Sequence, residues 1–378
     1  MAHQFHNPRP TKANAYQTKP NGYDKGSFQP LPEPTGKPPY RLNIEEILPN
    51  VQLSKTKMIF HTVGDTGGVK EAAPQQMVAD KMEEQFSAKV SLEDNPLFFY
   101  HLGDVAYYYG EESNYYSQFF DPYIHYPAPI LAIPGNHDGD IDPTNPKPPT
   151  SLQAFTEVFC DKKPRKLAIS GDANRTSTIQ PNVYWTLQTP IANIIGLYTN
   201  VPEHGVVKAD QKKWFLEELT QSQTERKEKA IIVALHHPVF SVDNNHGSSG
   251  AMKELLDEAF QSTGVYPDLI LTAHVHNYQR FSRKINGKSL TYLVNGAGGY
   301  FNLHHVGSKK DPVSVPNENL INGITLENFN DDHHGFLRIT IEKSKNERTL
   351  KGEYFIVPTP NEPSKNPAKL FDQFMISL

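Results

Sequence analysis

The chain has 378 residues, enough for two average domains or one large α/β domain with a full hydrophobic core. Its 37 Lys and Arg against 42 Asp and Glu leave a net charge of −5, which gives no argument for nucleic acid or an anionic membrane as a partner. The single cysteine, Cys160, excludes an intrachain disulfide, and no apolar run approaches the roughly 20 residues of a membrane-spanning helix.

Residues 1–50 read as a Pro-rich N-terminal extension. The first forty hold 8 of the 31 prolines and almost no aliphatic side chains, so they suit an extended arm or a disordered tail rather than a core. The opening residues also lack the apolar centre of a signal peptide. The expected compartment is cytoplasmic, with a periplasmic or secreted one as the alternative for a processed chain.

Regular structure is expected from Lys57–Val63, a strand that runs into Gly64-Asp65-Thr66-Gly67. Apolar residues every fourth position predict a helix over Pro74–Ala88. A buried strand, Leu97–Leu102, then delivers Gly103-Asp104-Val105-Ala106-Tyr107. A helical stretch around Tyr115–Tyr123 leads to the strand Pro129–Ile133, which ends at Gly135-Asn136-His137-Asp138. This alternation predicts a parallel sheet with crossover helices. Residues 139–180 break the rhythm with prolines and polar residues and read as a long loop, a rim or lid over the site.

Strands return at Val183–Leu187 and Ile191–Tyr198, and Asp210 reads as the N-cap of a helix presenting Trp214, Phe215 and Leu219. Ala230–Leu235 is a buried strand ending at His236-His237. A helix after Gly250 and a strand over Pro267–Thr272 lead to Ala273-His274-Val275-His276. Later strands at Leu290–Val294, Phe336–Ile341 and Tyr354–Val357 read as edge or antiparallel elements. The whole predicts one catalytic domain over residues 51–378, built from two βαβ-type halves with packed sheets.

Each predicted parallel strand ends in a residue able to bind a metal: Asp65; Asp104 with Tyr107; Asn136 beside His137; His236; His274 with His276. Singly, each is an ordinary turn residue. Together they offer hard oxygen donors and imidazoles without a thiolate, a set suited to iron, manganese or zinc. Seven protein ligands exceed what one ion with an open position can use, so the set implies two ions bridged by a carboxylate at about 3.5–4 Å.

Gly-Asp-x-Gly, Gly-Asp-x-x-Tyr, Gly-Asn-His, Val-x-x-His and His-x-His, in this order over residues 57–300, resemble the five motifs of the purple acid phosphatases, a branch of the calcineurin-like metallophosphoesterases. The resemblance is to small single-domain members. It implies a four-layer α/β/β/α sandwich of two mixed sheets. It also implies Fe(III) held by Asp65, Tyr107 and His276, and a divalent Fe, Zn or Mn held by Asn136, His236 and His274, with Asp104 bridging. Gly67 stands where relatives outside this branch carry His, and Tyr107 is present instead. Ala273 replaces the usual Gly before His-x-His, and Tyr108 and Tyr109 follow Tyr107.

The resemblance implies a hydrolase of small-molecule phosphomonoesters with an acidic optimum, acting by attack of a metal-bound hydroxide. A phosphodiesterase or nucleotide pyrophosphatase on the same metals is the alternative, and a non-catalytic metal-binding domain the third reading. His137 is the leading candidate to bind phosphate or protonate the leaving group, with Asp138 orienting its ring. His246 is the second candidate. His101 and His237 read as structural, and Tyr278 and Arg280 as pocket-lining or packing residues.

Overall fold

Alternation along the strands decides where the core lies. Within Lys57–Val63, Met58 and Phe60 enter one hydrophobic cluster while Val63 enters another on the opposite face. Along Ala230–Leu235, Ile232 and Ala234 share the cluster of Met58 and Phe60, and Ile231, Val233 and Leu235 face the other way. Two sheets therefore meet across a common core, in which Phe60 stacks on Phe98 at 5.0 Å. Each such fully buried ring contributes about 1.5–3 kcal/mol.

The computed structural model describes residues 26–243, 245–306 and 323–378. In chain order its strands begin with β1 (Arg41–Asn43), β2 (Lys57–Val63), β3 (Pro96–His101), β4 (Ile130–Ala132), β5 (Trp185–Gln188), β6 (Ala192–Leu197) and β7 (Ala230–Leu235). They continue with β8 (Leu269–Thr272), β9 (Tyr278–Ile285), β10 (Lys288–Asn295), β11 (Ile324–Asn330), β12 (Gly335–Lys343), β13 (Arg348–Ile356) and β14 (Lys369–Ser377). The six-stranded sheet has the order β14-β13-β12-β2-β3-β4, and the eight-stranded sheet the order β1-β5-β6-β7-β8-β10-β9-β11. Both are mixed. β2, β3 and β4 run parallel, as do β6, β7, β8 and β10, while β12, β13 and β14 and the pairs of β9 are antiparallel.

Helices cover the outer faces. Val78, Ala79 and Met82 of α1 (Ala73–Glu83) pack with Val63 and Phe99. Trp214, Phe215 and Leu219 of α3 (Ala209–Thr224) and Met252, Leu256 and Phe260 of α4 (Gly250–Thr263) join the cluster behind β7. The fold is thus the expected α/β sandwich of two mixed sheets.

Several details differ from the sequence reading. Among the described residues regular structure begins at Arg41, not Lys57: β1 pairs with β5, and Arg41 reaches the buried Glu218 of α3 at 2.7 Å, a long-range tie invisible to local pattern. Residues 26–40 lie against the domain through Gln29 on Asn200 and Gly36 on Pro181. The expectations for residues 1–25 lie outside the described residues. The stretch 139–180 carries α2 (Gln153–Phe159), whose Phe155, Val158 and Phe159 are buried at helical spacing. The surrounding prolines masked that short periodicity. Asp210 is not an N-cap; it sits inside the first turn of α3, where its charge favours the helix dipole. β9, β11 and β14 were not anticipated, and β10 is interior to its sheet, antiparallel to β9 as expected but parallel to β8.

His61, on the helix-covered face of β2, is fully buried between the Tyr126 hydroxyl at 2.9 Å and Gln85 Oε1 at 3.1 Å. Burial, with Arg338 nearby, pushes its pKa down to about 3. The unfolded chain protonates His61 near 6.5. Its contribution is therefore fully present above that value and is lost as pH falls toward about 3, by at most about 1.4 kcal/mol per pH unit. Urea unfolding between pH 7 and pH 5 should show a shallower stability loss for His61→Leu than for wild type. Parallel losses would contradict the assignment.

Candidate metal centre

The carboxyl ends of the two parallel runs open toward one crevice, the place where an α/β sheet collects ligands. Asp65 follows β2, Asp104 follows β3 and His274 follows β8. All three adopt left-handed backbone, with φ of 55°, 55° and 67°. Such strain persists in non-glycine residues where the surroundings hold it, and functional sites are where it concentrates. Here the Asp65 amide donates to the Gly103 carbonyl at 3.0 Å, and the His274 amide donates to Asp65 Oδ2 at 2.8 Å. Gly103 and Gly135 let the loops close. A Cβ on Gly103 would stand 2.5 Å from the Gly135 nitrogen, and one on Gly135 would stand 2.1 Å from Asp104 Oδ1.

The side-chain donor atoms gather in two groups. Asn136 Oδ1 lies 3.1 Å from His236 Nε2 and 2.9 Å from His274 Nδ1, and Asp104 Oδ2 lies 3.4 Å from His236 Nε2. In the second group, Asp65 Oδ1 lies 3.2 Å from the Tyr107 hydroxyl and 3.6 Å from His276 Nε2. Ligands about 2.1 Å from a shared cation are separated by about 3.0–3.4 Å, the edge of an octahedron or tetrahedron. Asp104 stands between the groups, next to His236 and close enough to Tyr107 and Asp65 to perturb both.

Carbonyls behind the imidazoles fix which nitrogen faces the crevice. His236 Nδ1 donates to the Leu102 carbonyl at 2.9 Å, and His276 Nδ1 donates to the Asn302 carbonyl at 3.0 Å. Each Nε2 lone pair is thereby free to bind a metal. Gln118 clamps the backbone of Tyr107, accepting from its amide at 2.8 Å and donating to its carbonyl at 3.1 Å.

Electrostatics point the same way. Asp65 and Asp104 are buried, and among the described residues neither pairs with Lys or Arg. Burial, reinforced by the Asp104 charge and opposed by His236, holds Asp65 above the usual carboxylate range. Burial and the two carboxylates hold the Tyr107 phenol well up. Burial disfavours a charged His236, yet Asp104 and Asp65 outweigh it and push its pKa up to about 9. Burial and neighbouring imidazoles keep His274 and His276 far below the ordinary histidine value, hence neutral and able to coordinate. Among the described residues, none gives the buried His274 Nε2 a hydrogen bond. A crevice that attracts a proton this strongly and presents neutral imidazoles fits divalent or trivalent cations.

His137 sits at the crevice with its ring 4.4 Å from that of Tyr107, and its Nδ1 donates to the Tyr108 carbonyl at 2.7 Å. Asp138 does not orient it. Its carboxylate accepts instead from the amides of Gly135 at 2.8 Å, Val105 at 3.0 Å and Ala106 at 3.1 Å, so it pins the Asp104 and Asn136 loops together. His246 lies 4.3 Å ring to ring from His274. Of the three consecutive tyrosines, Tyr107 is the one that turns inward; the Tyr108 ring is exposed. His101 takes the Gly103 amide on Nδ1, and His237 bonds the Thr199 hydroxyl, both supporting loops. Tyr278 and Arg280 turn to Asp372 of β14, each at 2.7 Å, which is a packing role.

Three contributors escaped sequence reasoning. Gly296, after β10, is so close that a Cβ would stand 2.6 Å from Asp65 Oδ2. The Tyr300 ring packs at a tilt against Tyr107 at 4.5 Å and His276 at 4.4 Å, and the His304 ring lies 4.4 Å from that of His276. The run Asn295-Gly296-Ala297-Gly298-Gly299 after a strand was the available signal.

Comparison with known proteins bears on the family of the chain. The calcineurin-like phosphoesterase family model matches residues 58–278, more than half of the chain. Two curated relatives come from Arabidopsis thaliana. Purple acid phosphatase 18 is 31% identical over 31% of this chain and 27% of its own length. Purple acid phosphatase 21 is 24% identical over 45% of this chain and 36% of its own length. The chain therefore spans about a third of the curated relatives it matches. Among solved structures, that of GAP50, the anchor in the inner membrane complex of Plasmodium, superposes with a TM-score of 0.55 at 15% identity, covering 85% of this chain and 89% of that one. This last likeness concerns the fold alone. Among the described residues no helix is long and apolar enough to cross a membrane.

The metal reading is testable without activity. Added Mn(II) or Zn(II) at 100 times its dissociation constant should stabilise the metal-free protein by about 2.7 kcal/mol in urea unfolding. Asp104→Asn should lose most of that gain while leaving the metal-free fold at least as stable. Equal metal stabilisation in both proteins would refute Asp104 as a ligand.

Proposed function

We propose that this chain, which belongs to the calcineurin-like phosphoesterase family, hydrolyses small phosphomonoesters at a two-metal centre of the purple acid phosphatase type. The observation that carries the reading is the pair of donor groups meeting at Asp104, with Tyr107 supplying a phenol to one of them. Asp65, Tyr107 and His276 would hold Fe(III). Asn136, His236 and His274 would hold a divalent Fe, Zn or Mn, and Asp104 would bridge. When bound, the two cations supply Lewis acidity at the phosphoryl oxygens and lower the pKa of water.

The chain's own side chains do the rest. Asp65, Asp104 and a deprotonated Tyr107 offset part of the cationic charge and leave the crevice attractive to a dianion. His137 is the proton donor to the leaving oxygen. The Tyr108 carbonyl fixes its Nδ1–H, which leaves Nε2 as the nitrogen able to deliver a proton. With Nδ1–H held by the carbonyl, the ring donates from Nε2 only in its doubly protonated form. His246 stands on the His274 side as the second imidazole able to meet phosphate.

His137→Ala should lower kcat on p-nitrophenyl phosphate and alkyl phosphates by about 10²-fold or more, with the larger loss on the alkyl esters, whose leaving groups need the proton most. Wild type should hydrolyse p-nitrophenyl phosphate faster than bis-p-nitrophenyl phosphate. A reversed ratio would replace the monoesterase reading with the phosphodiesterase one. Unchanged kcat in the variant would remove His137 as the acid.

A further inference from the structure

A second group of converging side chains lies behind the candidate ligands. The loop 198–204 after β6 carries Glu203, whose carboxylate is buried. Its Oε1 stands 2.8 Å from His246 Nδ1. A carboxylate accepts and does not donate, so the bond takes the Nδ1–H of His246, and in the neutral ring the lone pair is then on Nε2. The backbone of His246 is held as well: Asp243 Oδ2 accepts from the amides of His246 at 2.9 Å and Asn245 at 3.0 Å.

Glu203 also belongs to the neighbourhood of a candidate ligand. One donor atom from each of Glu203, His246 and His274 lies within 4.8 Å of the other two. His274 turns Nδ1 toward Asn136, and its other ring nitrogen is buried with no hydrogen-bond partner among the described residues. The same loop supports His237 through Thr199 at 2.7 Å, and His237 lies 4.5 Å ring to ring from His274. A buried carboxylate is costly unless paired, and an imidazole that must present one nitrogen needs the other held. The Glu203–His246 pair meets both requirements.

We propose that Glu203 is a positioning residue that locks His246 in its Nδ1–H form, so that Nε2 is presented to the phosphoester beside His274. The assignment rests on the phosphoesterase reading above, with His246 as the group that touches substrate. Glu203 acts through it.

Nitrogen-15 correlation spectra of the metal-free protein at pH 8 test the lock directly, with the His246 signals assigned through His246→Gln. Wild type should show a protonated Nδ1. Glu203→Ala should show a mixture of tautomers, and Glu203→Gln should restore the Nδ1–H form, because its amide oxygen still accepts. In the metal-loaded enzyme, Glu203→Ala should lower kcat on p-nitrophenyl phosphate about 10–100-fold, the range of outer-shell partners, with KM little changed. The Glu203→Ala/His246→Ala double variant should be no slower than His246→Ala alone.

An unaltered His246 tautomer in Glu203→Ala overturns the proposal. So do multiplicative losses in the double variant, or equal kinetics in Glu203→Ala and Glu203→Gln. A wild-type enzyme inactive on every phosphoester would defeat the functional reading instead, while the spectra would still decide the role of Glu203.

Discussion

Burying the Asp65 and Asp104 carboxylates together, with no Lys or Arg beside them among the described residues, is the constraint on which the rest of the structure depends. In a low-dielectric crevice, two like charges in proximity are unfavourable unless cations compensate. The protein's own cationic response is His236, driven toward protonation by those same carboxylates. The left-handed backbone at Asp65, Asp104 and His274 persists because this arrangement holds it at the strand ends.

The two sheets make that arrangement rigid. Strands β2, β3 and β4 bring the aspartates and Asn136 from one side, and β7 and β8 bring the histidines from the other. Backbone atoms then do much of the fine positioning. The carbonyls of Leu102, Asn302 and Tyr108 each hold one ring nitrogen of His236, His276 and His137. The amides of Gly135, Val105 and Ala106 converge on Asp138 and join two motif loops. Because these partners are main-chain groups, their number and direction follow from the fold. Side-chain substitution alone would not abolish them.

The five strands that carry candidate ligands, β2, β3, β4, β7 and β8, were legible in the sequence, because each is a short apolar run followed within three residues by Gly-Asp, Gly-Asn or His. β2 was readable to the residue. β1 and β14 were not, since β1 has three residues and β14, Lys-Leu-Phe-Asp-Gln-Phe-Met-Ile-Ser, lacks the strict alternation that marks a half-buried strand. The role of Asp138 was misread for a general reason. Adjacency to His137 in sequence suggested a side-chain pair, whereas three backbone amides from two loops reach the carboxylate first. Tyr300, His304 and Glu203 approach the crevice from loops distant in sequence from the motifs, and only the glycine-rich run before Tyr300 gives a local signal. The ambiguity among Tyr107, Tyr108 and Tyr109 needed three dimensions as well. Gly67 leaves room for the Tyr107 ring, since a Cβ there would stand 2.5 Å from it.

The most direct test of the account is the visible absorption spectrum of protein purified without chelator, recorded with its metal content and repeated for Tyr107→Phe. The account predicts a pink to purple charge-transfer band, about two metal ions per chain with iron among them, and loss of the band in the variant. A colourless wild-type protein, or a band that survives Tyr107→Phe, would contradict an iron–tyrosinate centre at this site.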